Sequence, residues 1–597
     1  MHIQTIKRKI ATILLLALVS MSACLKEKKD NLIEPLDVLQ KSNSSIRMFN
    51  LTGGPVDVMI NNIPLTSFNN SGGATPLGLS IFPSGKWNSA ENGSPFTIMN
   101  GLLDKNGKAH LVLTAGTILN EDTVLQNDIT QPRDYYLLPD GSMKILARQN
   151  IPPSRPENFR IRIINMGDEN DALGLGAPLS LTWADGSAVS PELQNIASNT
   201  SSEYVEIPYG SYQFKLFTGT GAGVNVIKQL AELPLNALFD GCNPDAVIPQ
   251  TGLLPRVRTF KPGGVYSIVV SSGAITFWDC YRFSRLGKMV NSYRIVTELD
   301  PGVNHSYARM HALNAMPGKQ VRVRVDGAFL SESPMPYLGS LPYNETVNAD
   351  YKIFVQGEHT VQAVDEKGTV LAEQSLRLYP YDNYTIWVNE RPDGKPGLLF
   401  SANDMTSTLY ASNYNNGQFP DDGTSGTPRR VNFPYAWQSR FLNLSPDLPY
   451  ATFTNDQSLF QTAPVYADSL RYSSAYVNIA SGVLPERNAS ILYTIPAKNE
   501  FTYFGAEPIY EMDITPSFIR VFRSRPGNPG EIPGEWLKQV APLDAKKAFI
   551  ANPQLYVSGG MTPRVETGIY SIALVGRTYN SSGGDDKAKL VVIKHNK

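Results

Sequence analysis

The chain has 597 residues, 53 lysines and arginines against 54 aspartates and glutamates, and a formal net charge of −1. That balance supplies no long-range field to gather nucleic acid or an acidic polymer, so no nucleic-acid partner is expected. Charged residues make up 18% of the sequence, below the about one quarter usual for a globular domain. Gly, Pro, Asn, Ser, Thr and Tyr are plentiful, which suits extracellular β-structure with frequent turns.

From the start of the chain, Lys7, Arg8 and Lys9 precede an apolar run from Ile10 to Val19. The run is too short to span a bilayer, which takes about 20 apolar residues. A basic start, a short apolar run and small residues after it mark a secretory signal, expected over 1–23. Ser20-Met21-Ser22-Ala23-Cys24 resembles the lipobox of bacterial lipoproteins, in which the cysteine is diacylated and becomes the new N-terminus. Lipidation at Cys24, palmitate included, implies stable anchoring, each buried CH2 adding about 0.8 kcal/mol. Leu25 follows the cysteine where an inner-membrane lipoprotein carries aspartate, which favours the outer membrane, facing the periplasm or the cell surface. Residues 24–44, with Lys26-Glu27-Lys28-Lys29-Asp30, read as a lipidated tether.

A first module is expected over 45–150. It opens on Ile46-Arg47-Met48-Phe49-Asn50 and continues through Val56-Asp57-Val58-Met59-Ile60. This is a strand, an asparagine turn, and a second strand whose period-two alternation buries one face. Trp87 lies in the polar stretch Ser84-Gly85-Lys86-Trp87-Asn88-Ser89. A loop tryptophan has less reason to serve the core, so Trp87 is the candidate ligand-binding aromatic. Asp104-Lys105-Asn106-Gly107-Lys108 resembles the start of a calcium loop but lacks the later acidic ligands, and reads as a β-turn. Asp122-Thr123-Val124, with Asp468-Ser469-Leu470 further on, resembles the O-glycosylation motif of Bacteroidota exported proteins, making Thr123 and Ser469 candidate acceptors.

A Pro-rich joint, Ile151 to Pro156, opens a second module, 151–302. Ile161-Arg162-Ile163-Ile164-Asn165 repeats the opening phrase. The acidic insertion Gly167 to Asp171 reads as a solvated loop, with calcium the alternative. Pro208-Tyr209-Gly210-Ser211-Tyr212 and Pro262-Gly263-Gly264-Val265-Tyr266 are turns that lead into aromatic strands. Cys242 and Cys280 are the only cysteines besides Cys24. Outside the cytoplasm such a pair is expected to form a disulfide, worth about 3–4 kcal/mol in the chain-entropy model.

A third module, 303–402, opens on Met310-His311-Ala312-Leu313-Asn314 and alternates Val321, Val323 and Val325 with Arg322 and Arg324. Residues 403–428 carry Asn, Gly and Asp runs and read as a flexible linker. A fourth module, 429–597, opens on Ser439-Arg440-Phe441-Leu442-Asn443 and closes on Thr567-Gly568-Ile569-Tyr570. Repeats of this kind define the architecture: an all-β chain of tandem immunoglobulin-like β-sandwich modules, displayed as a tethered row.

The opening and closing phrases together resemble the family catalogued as domain of unknown function 4397. Its members open on a strand of the form Arg-x-x-Asn, continue through a Pro-containing turn to Val-Asp-Val-x-Val-Asn/Asp-Gly, and later carry a Pro-Gly-x-Tyr strand. The first and third copies match best. The second has a long insertion, the fourth lacks the valine–aspartate core, and His311 stands for the arginine in the third. The resemblance implies a β-sandwich in exported bacterial proteins and supplies no active-site residue.

The six histidines form no metal set; His305 and His311, the one close pair, are expected at or near the surface. Neither a Gly-x-Ser-x-Gly elbow nor a phosphate-binding Gly-rich loop appears. No catalytic residue, metal site or cofactor is assigned, and the chain is not expected to be an enzyme. The six tryptophans are sugar-stacking candidates, though in sandwiches most such rings pack the core. The expected function is a non-catalytic binding or assembly module of the cell envelope. Its expected partners are the membrane, through the lipid anchor, and an envelope protein. The alternative is a glycan-binding accessory protein of a nutrient-uptake system, with polysaccharide as partner.

Overall fold

The computed structural model describes residues 42–52, 54–66, 86–87, 95–115, 119–149, 151–171, 174–218, 228–232, 256–279, 284–405, 408–412, 428–432, 436–456, 476–485, 491–494, 517–527, 531–555, 565–579 and 586–597. Cys24, Cys242, Cys280 and Ser469 lie outside the described residues, and with them the signal, tether, disulfide and second glycosylation expectations. Two compact units divide the chain close to residue 150. The protein is all-β: among the described residues the only α-helix is the four-residue Ala545–Ala548.

The first unit holds one copy of the repeat. Its strands are β1 (Asn43–Asn50), β2 (Asp57–Ile60), β3 (Ile63–Pro64), β4 (Phe96–Met99), β5 (Lys108–Ala115), β6 (Leu119–Gln126), β7 (Arg133–Leu137) and β8 (Met143–Ala147). One sheet has the order β4-β1-β7-β8 and the other β3-β2-β5-β6. β1 runs antiparallel to β4 and parallel to β7. The expected alternation holds: Val58 and Ile60 are buried, while Asp57 and Met59 are half-buried. A single core forms between the sheets, with Ile46, Met48, Ile98, Tyr135 and Leu137 from one and Val58, Ile60, Ala109, Leu111 and Leu113 from the other. Each Val, Leu, Ile or Met side chain among them contributes about 1.5–3 kcal/mol of burial.

The second unit repeats this topology three times. In the third copy, Tyr307–Asn314 lies between Lys352–Val355 and Asn383–Glu390, with Pro396–Ala402 outermost; Arg322–Val325 leads the other sheet. In the fourth, Ala436–Asn443 lies between Ile491–Thr494 and Gly568–Val575, followed by Lys589–Lys594; Tyr450–Asn455 leads the other sheet. In the second, Asn158–Met166 pairs in parallel with Val265–Asp279, which pairs with Ser284–Leu299; Leu179–Trp183 leads the other sheet. In every copy the motif strand pairs in parallel with a later strand: Arg133–Leu137, Val265–Asp279, Asn383–Glu390 and Gly568–Val575 in turn.

These three copies are not a row of independent modules. Thr346–Asn348 of the third adds in parallel to the edge strand Lys589–Lys594 of the fourth. Leu313, Ala315 and Trp387 of the third pack in one apolar cluster with Leu442, Ala573, Val575, Val591 and Ile593 of the fourth. Buried Lys215 of the second copy pairs with buried Glu566 of the fourth at 3.0 Å. Asn596 donates to Gln213 at 2.7 Å, and the Gln213 amide donates to the Lys597 carbonyl.

The linker expected over 403–428 is corrected at both ends. Asn403 and Met405 are buried, and Thr408–Ser412 pairs antiparallel with Pro428–Asn432. Polar composition hid the β-forming residues Leu409, Tyr410 and Val431 that flank the Asn/Gly/Asp run. The run itself, 413–427, lies outside the described residues.

Candidate functional site

The recurring motif residues build the fold. Asn50, Asn165, Asn314 and Asn443 are all buried. Each side-chain oxygen accepts the backbone N–H two residues on, from Thr52, Gly167, Met316 and Ser445 respectively. Each amide nitrogen donates to backbone carbonyls across the turn: Gly54 and Trp87, Ile196, Lys319 and Met335, and Leu448 and Ile479. Asparagine suits this place because it carries donor and acceptor on one short side chain.

The closing phrase has an equally physical basis. The Tyr212 hydroxyl donates to the Pro208 carbonyl at 2.8 Å, and the Tyr570 hydroxyl to the Glu566 carbonyl at 3.3 Å. The Tyr266 hydroxyl accepts from the Lys261 amide at 3.0 Å. Folding the ring back over the turn requires space two residues upstream. A β-carbon on Gly264 would stand 2.7 Å from the Tyr266 ring, and one on Gly568 2.8 Å from that of Tyr570.

The arginine of the opening phrase points away from the copy's own core, and its surroundings differ between copies. Arg47 holds buried Asp134 through two hydrogen bonds, at 2.9 and 2.6 Å, and Arg148 donates to the same carboxylate at 2.9 Å. Arg162 donates to Ser267 at 2.9 Å and pairs with buried Glu298 at 2.8 Å. His311 and Arg440 occupy this place in the third and fourth copies, and the faces that carry them meet. Along that interface five strands pass from polar to apolar together: His311 to Leu313, Thr385 to Trp387, Arg440 to Leu442, Ser571 to Ala573, and His595 to Ile593.

The polar end is a buried cluster of titratable side chains, and it is the candidate site. His311 Nε2 meets Thr385 Oγ1 at 2.7 Å. His595 Nδ1 meets the Tyr351 hydroxyl at 2.9 Å, and its Nε2 meets Ser571 Oγ at 2.8 Å. Asn403 donates to Tyr351 and Thr385 at 3.0 and 2.8 Å, while its oxygen accepts from Arg440 at 3.2 Å. Arg309 stacks over Tyr351 at 4.8 Å and donates to Asn383 at 2.7 Å.

Arginine can only donate, so Asn403 turns its oxygen to Arg440 and its NH2 to the two hydroxyls. Those hydroxyls also meet His311 Nε2 and His595 Nδ1, and burial disfavours the charged form of both imidazoles. Burial, reinforced by Arg309, pushes His311 down to about 3. Burial, with His311 and Arg440 nearby, also pushes His595 well below the usual range.

A serine hydroxyl on a histidine is the starting geometry of an activated nucleophile. Here Ser571 and His595 are closed off from solvent, and both ring nitrogens of His595 are held by hydroxyls. The arrangement orients two packed faces and gives no substrate a path to the hydroxyl. The expectation of surface or half-buried histidine is corrected for His311, which faces a second packed sheet. Its histidine neighbour is His595, at 5.7 Å between rings, rather than exposed His305.

The expectation for Trp87 is corrected too. It is 4% exposed, forms an isolated bridge with Val56, and packs in the first copy's core beside Phe96. Its polar neighbours in sequence concealed the bridge, which draws the ring under the asparagine turn. Trp183, Trp387 and Trp437 are likewise buried, and Trp536 is half-buried. Thr123 stands opposite core residue Leu111 on β6 and is half-buried. The Asp104 carboxylate accepts the Asn106 and Lys108 amides of a turn. Asp168 and Asp171 serve the amides of Asn170, Leu175 and Asn291. Among the described residues no cluster of three or more His, Cys, Asp or Glu is placed to hold a metal ion.

No protein-family model matches the chain, and no curated protein matches it. The resemblance to the 4397 family therefore rests on the motif residues alone.

Proposed function

We propose that the protein is an outer-membrane lipoprotein, anchored through Cys24, that acts as a non-catalytic binding or assembly module of the cell envelope. The observation that carries this reading is how the repeat uses its recurring side chains. Asparagine and Gly-x-Tyr side chains are consumed in closing turns, and the third and fourth copies share one apolar cluster, so these recurring positions serve the framework. The test is fractionation of Cys24→Ser, combined with affinity capture from detergent-solubilised envelopes. Release of the variant from the membrane and capture of a specific partner by the wild type are expected. Membrane partitioning of the variant with normal processing would sink the anchor.

One spot favours the glycan reading. Arg520 stacks over half-buried Trp536 at 4.7 Å, and Arg523 over exposed Tyr579 at 4.2 Å. Aromatic faces beside guanidinium groups suit an acidic sugar chain. Binding on a polysaccharide panel that Trp536→Ala abolishes, with no protein captured, would select this reading.

A further inference from the structure

The edge strands of the four copies are not treated alike. In the fourth copy, Lys589–Lys594 is covered by the parallel strand Thr346–Asn348, with Thr346 opposite Val592 and Asn348 opposite Lys594. In the second, Ala231–Glu232 adds in parallel to Ser292 and Tyr293 of the corresponding strand. The covered residues are closed to solvent: Ser292 and Tyr293 are each 1% exposed and Val592 0%. The counterpart in the first copy is β8, which pairs with β7 alone among the described residues.

Register shows what this edge offers. Leu137 stands opposite Asn50 and Met143; Leu574 stands opposite Asn443 and Leu590. Ile145 is therefore the counterpart of Val592, yet it is 46% exposed. The Arg148 amide donates to Pro132 and the Leu138 amide to Ser142. Antiparallel pairs alternate between bonded and non-bonded residues. Lys144 and Leu146 thus turn their backbone groups to β7, while Met143, Ile145 and Ala147 turn theirs outward. Ile145 lies opposite core residue Tyr135, so its side chain is on the core side of the sheet, at its open margin. The third copy's counterpart, Pro396–Ala402, opens on a proline with no N–H to give.

We propose that β8 is a strand-acceptor site for an extended segment of a partner protein, added parallel to Met143–Ala147 with a β-branched residue opposite Ile145. The occupant's form follows from the fourth copy, where β-branched Thr346 takes the place opposite Val592. Strand addition draws affinity from main-chain hydrogen bonds and selectivity from alternate side chains. The proposal rests on the assembly reading and names its docking edge.

The test uses the full chain and a synthetic peptide of residues 343–351, the protein's own edge-covering segment. Saturable binding is expected, with amide exchange slowed at Met143, Ile145 and Ala147. Ile145→Pro removes an outward N–H and no β7–β8 bond, so it should weaken binding by about tenfold or more with the melting point kept. A peptide carrying Thr346→Pro should not bind, a control independent of the protein variant's folding. Absence of saturable binding, equal affinity of the Ile145→Pro protein, or protection confined to Lys589–Lys594 would overturn the proposal. Capture of the same envelope partner by wild type and Ile145→Pro would overturn the edge and leave the assembly reading standing.

Discussion

The Arg440 guanidinium donates to the side-chain oxygen of Asn403 at 3.2 Å, and this contact leaves the Asn403 NH2 for two hydroxyls that meet the buried histidines. It orients the Asn403 amide toward Tyr351 and Thr385, whose hydroxyls meet His595 and His311 at 2.9 and 2.7 Å. Burial disfavours the charged form of both rings, so this cluster suits neutral pH.

Acid should loosen this interface. Both histidines have folded pKa values below the unfolded value of about 6.5, His311 at about 3 and His595 well below its usual range. Their contribution is fully present above the unfolded value and is lost as pH falls toward the folded one. At about pH 4.5 the loss from His311 is roughly 2–3 kcal/mol. Unfolding midpoints measured from neutral to acid pH should fall more steeply for the wild type than for the His311→Gln/His595→Gln double variant. Equal slopes would show that other groups govern the acid limb.

The motif asparagine is a bracing residue in every copy. Asn443→Ala strands the Ser445 amide and the Leu448 and Ile479 carbonyls. Leaving such buried groups without partners should cost about 3 kcal/mol. Chemical denaturation of Asn50→Ala and Asn443→Ala should give losses of similar size. A loss of under about 1 kcal/mol in both would mean that water replaces the side chain.

Gly568→Ala should destabilise by about 1–3 kcal/mol, because the added carbon meets the Tyr570 ring at 2.8 Å or less. Gly54 has nothing within 4 Å of its would-be β-carbon and serves as the control. The comparison is a pair of melting curves, and equal midpoints would refute the packing account of the Gly-x-Tyr phrase.

Glu566 pairs with buried Lys215 at 3.0 Å, and it also favours the charged form of Lys594, which burial lowers to about 8. Glu566→Ala leaves both cations buried and should cost about 3–5 kcal/mol, the usual penalty for breaking a buried pair from one side. Adding Lys215→Met should restore part of that loss. A double variant no more stable than Glu566→Ala would place the cost elsewhere.

Much was legible without coordinates. Period-two alternation at Val56–Ile60 and Val321–Val325 located strands with one wet face, because side-chain direction along a strand is local geometry. The recurring asparagine of the opening phrase marked four copies, since its side chain satisfies backbone groups of a turn in each. What those copies do to one another was decided only in three dimensions. His311, Thr385, Arg440 and Ser571 lie on four strands and His595 just past the end of a fifth, spread across nearly 300 positions, and they form one surface only when two sheets face each other. Trp87 likewise looked like a loop residue until its bridge to Val56 closed the core over it. Burial on the outer face of a sheet depends on what packs there, and periodicity carries no record of that.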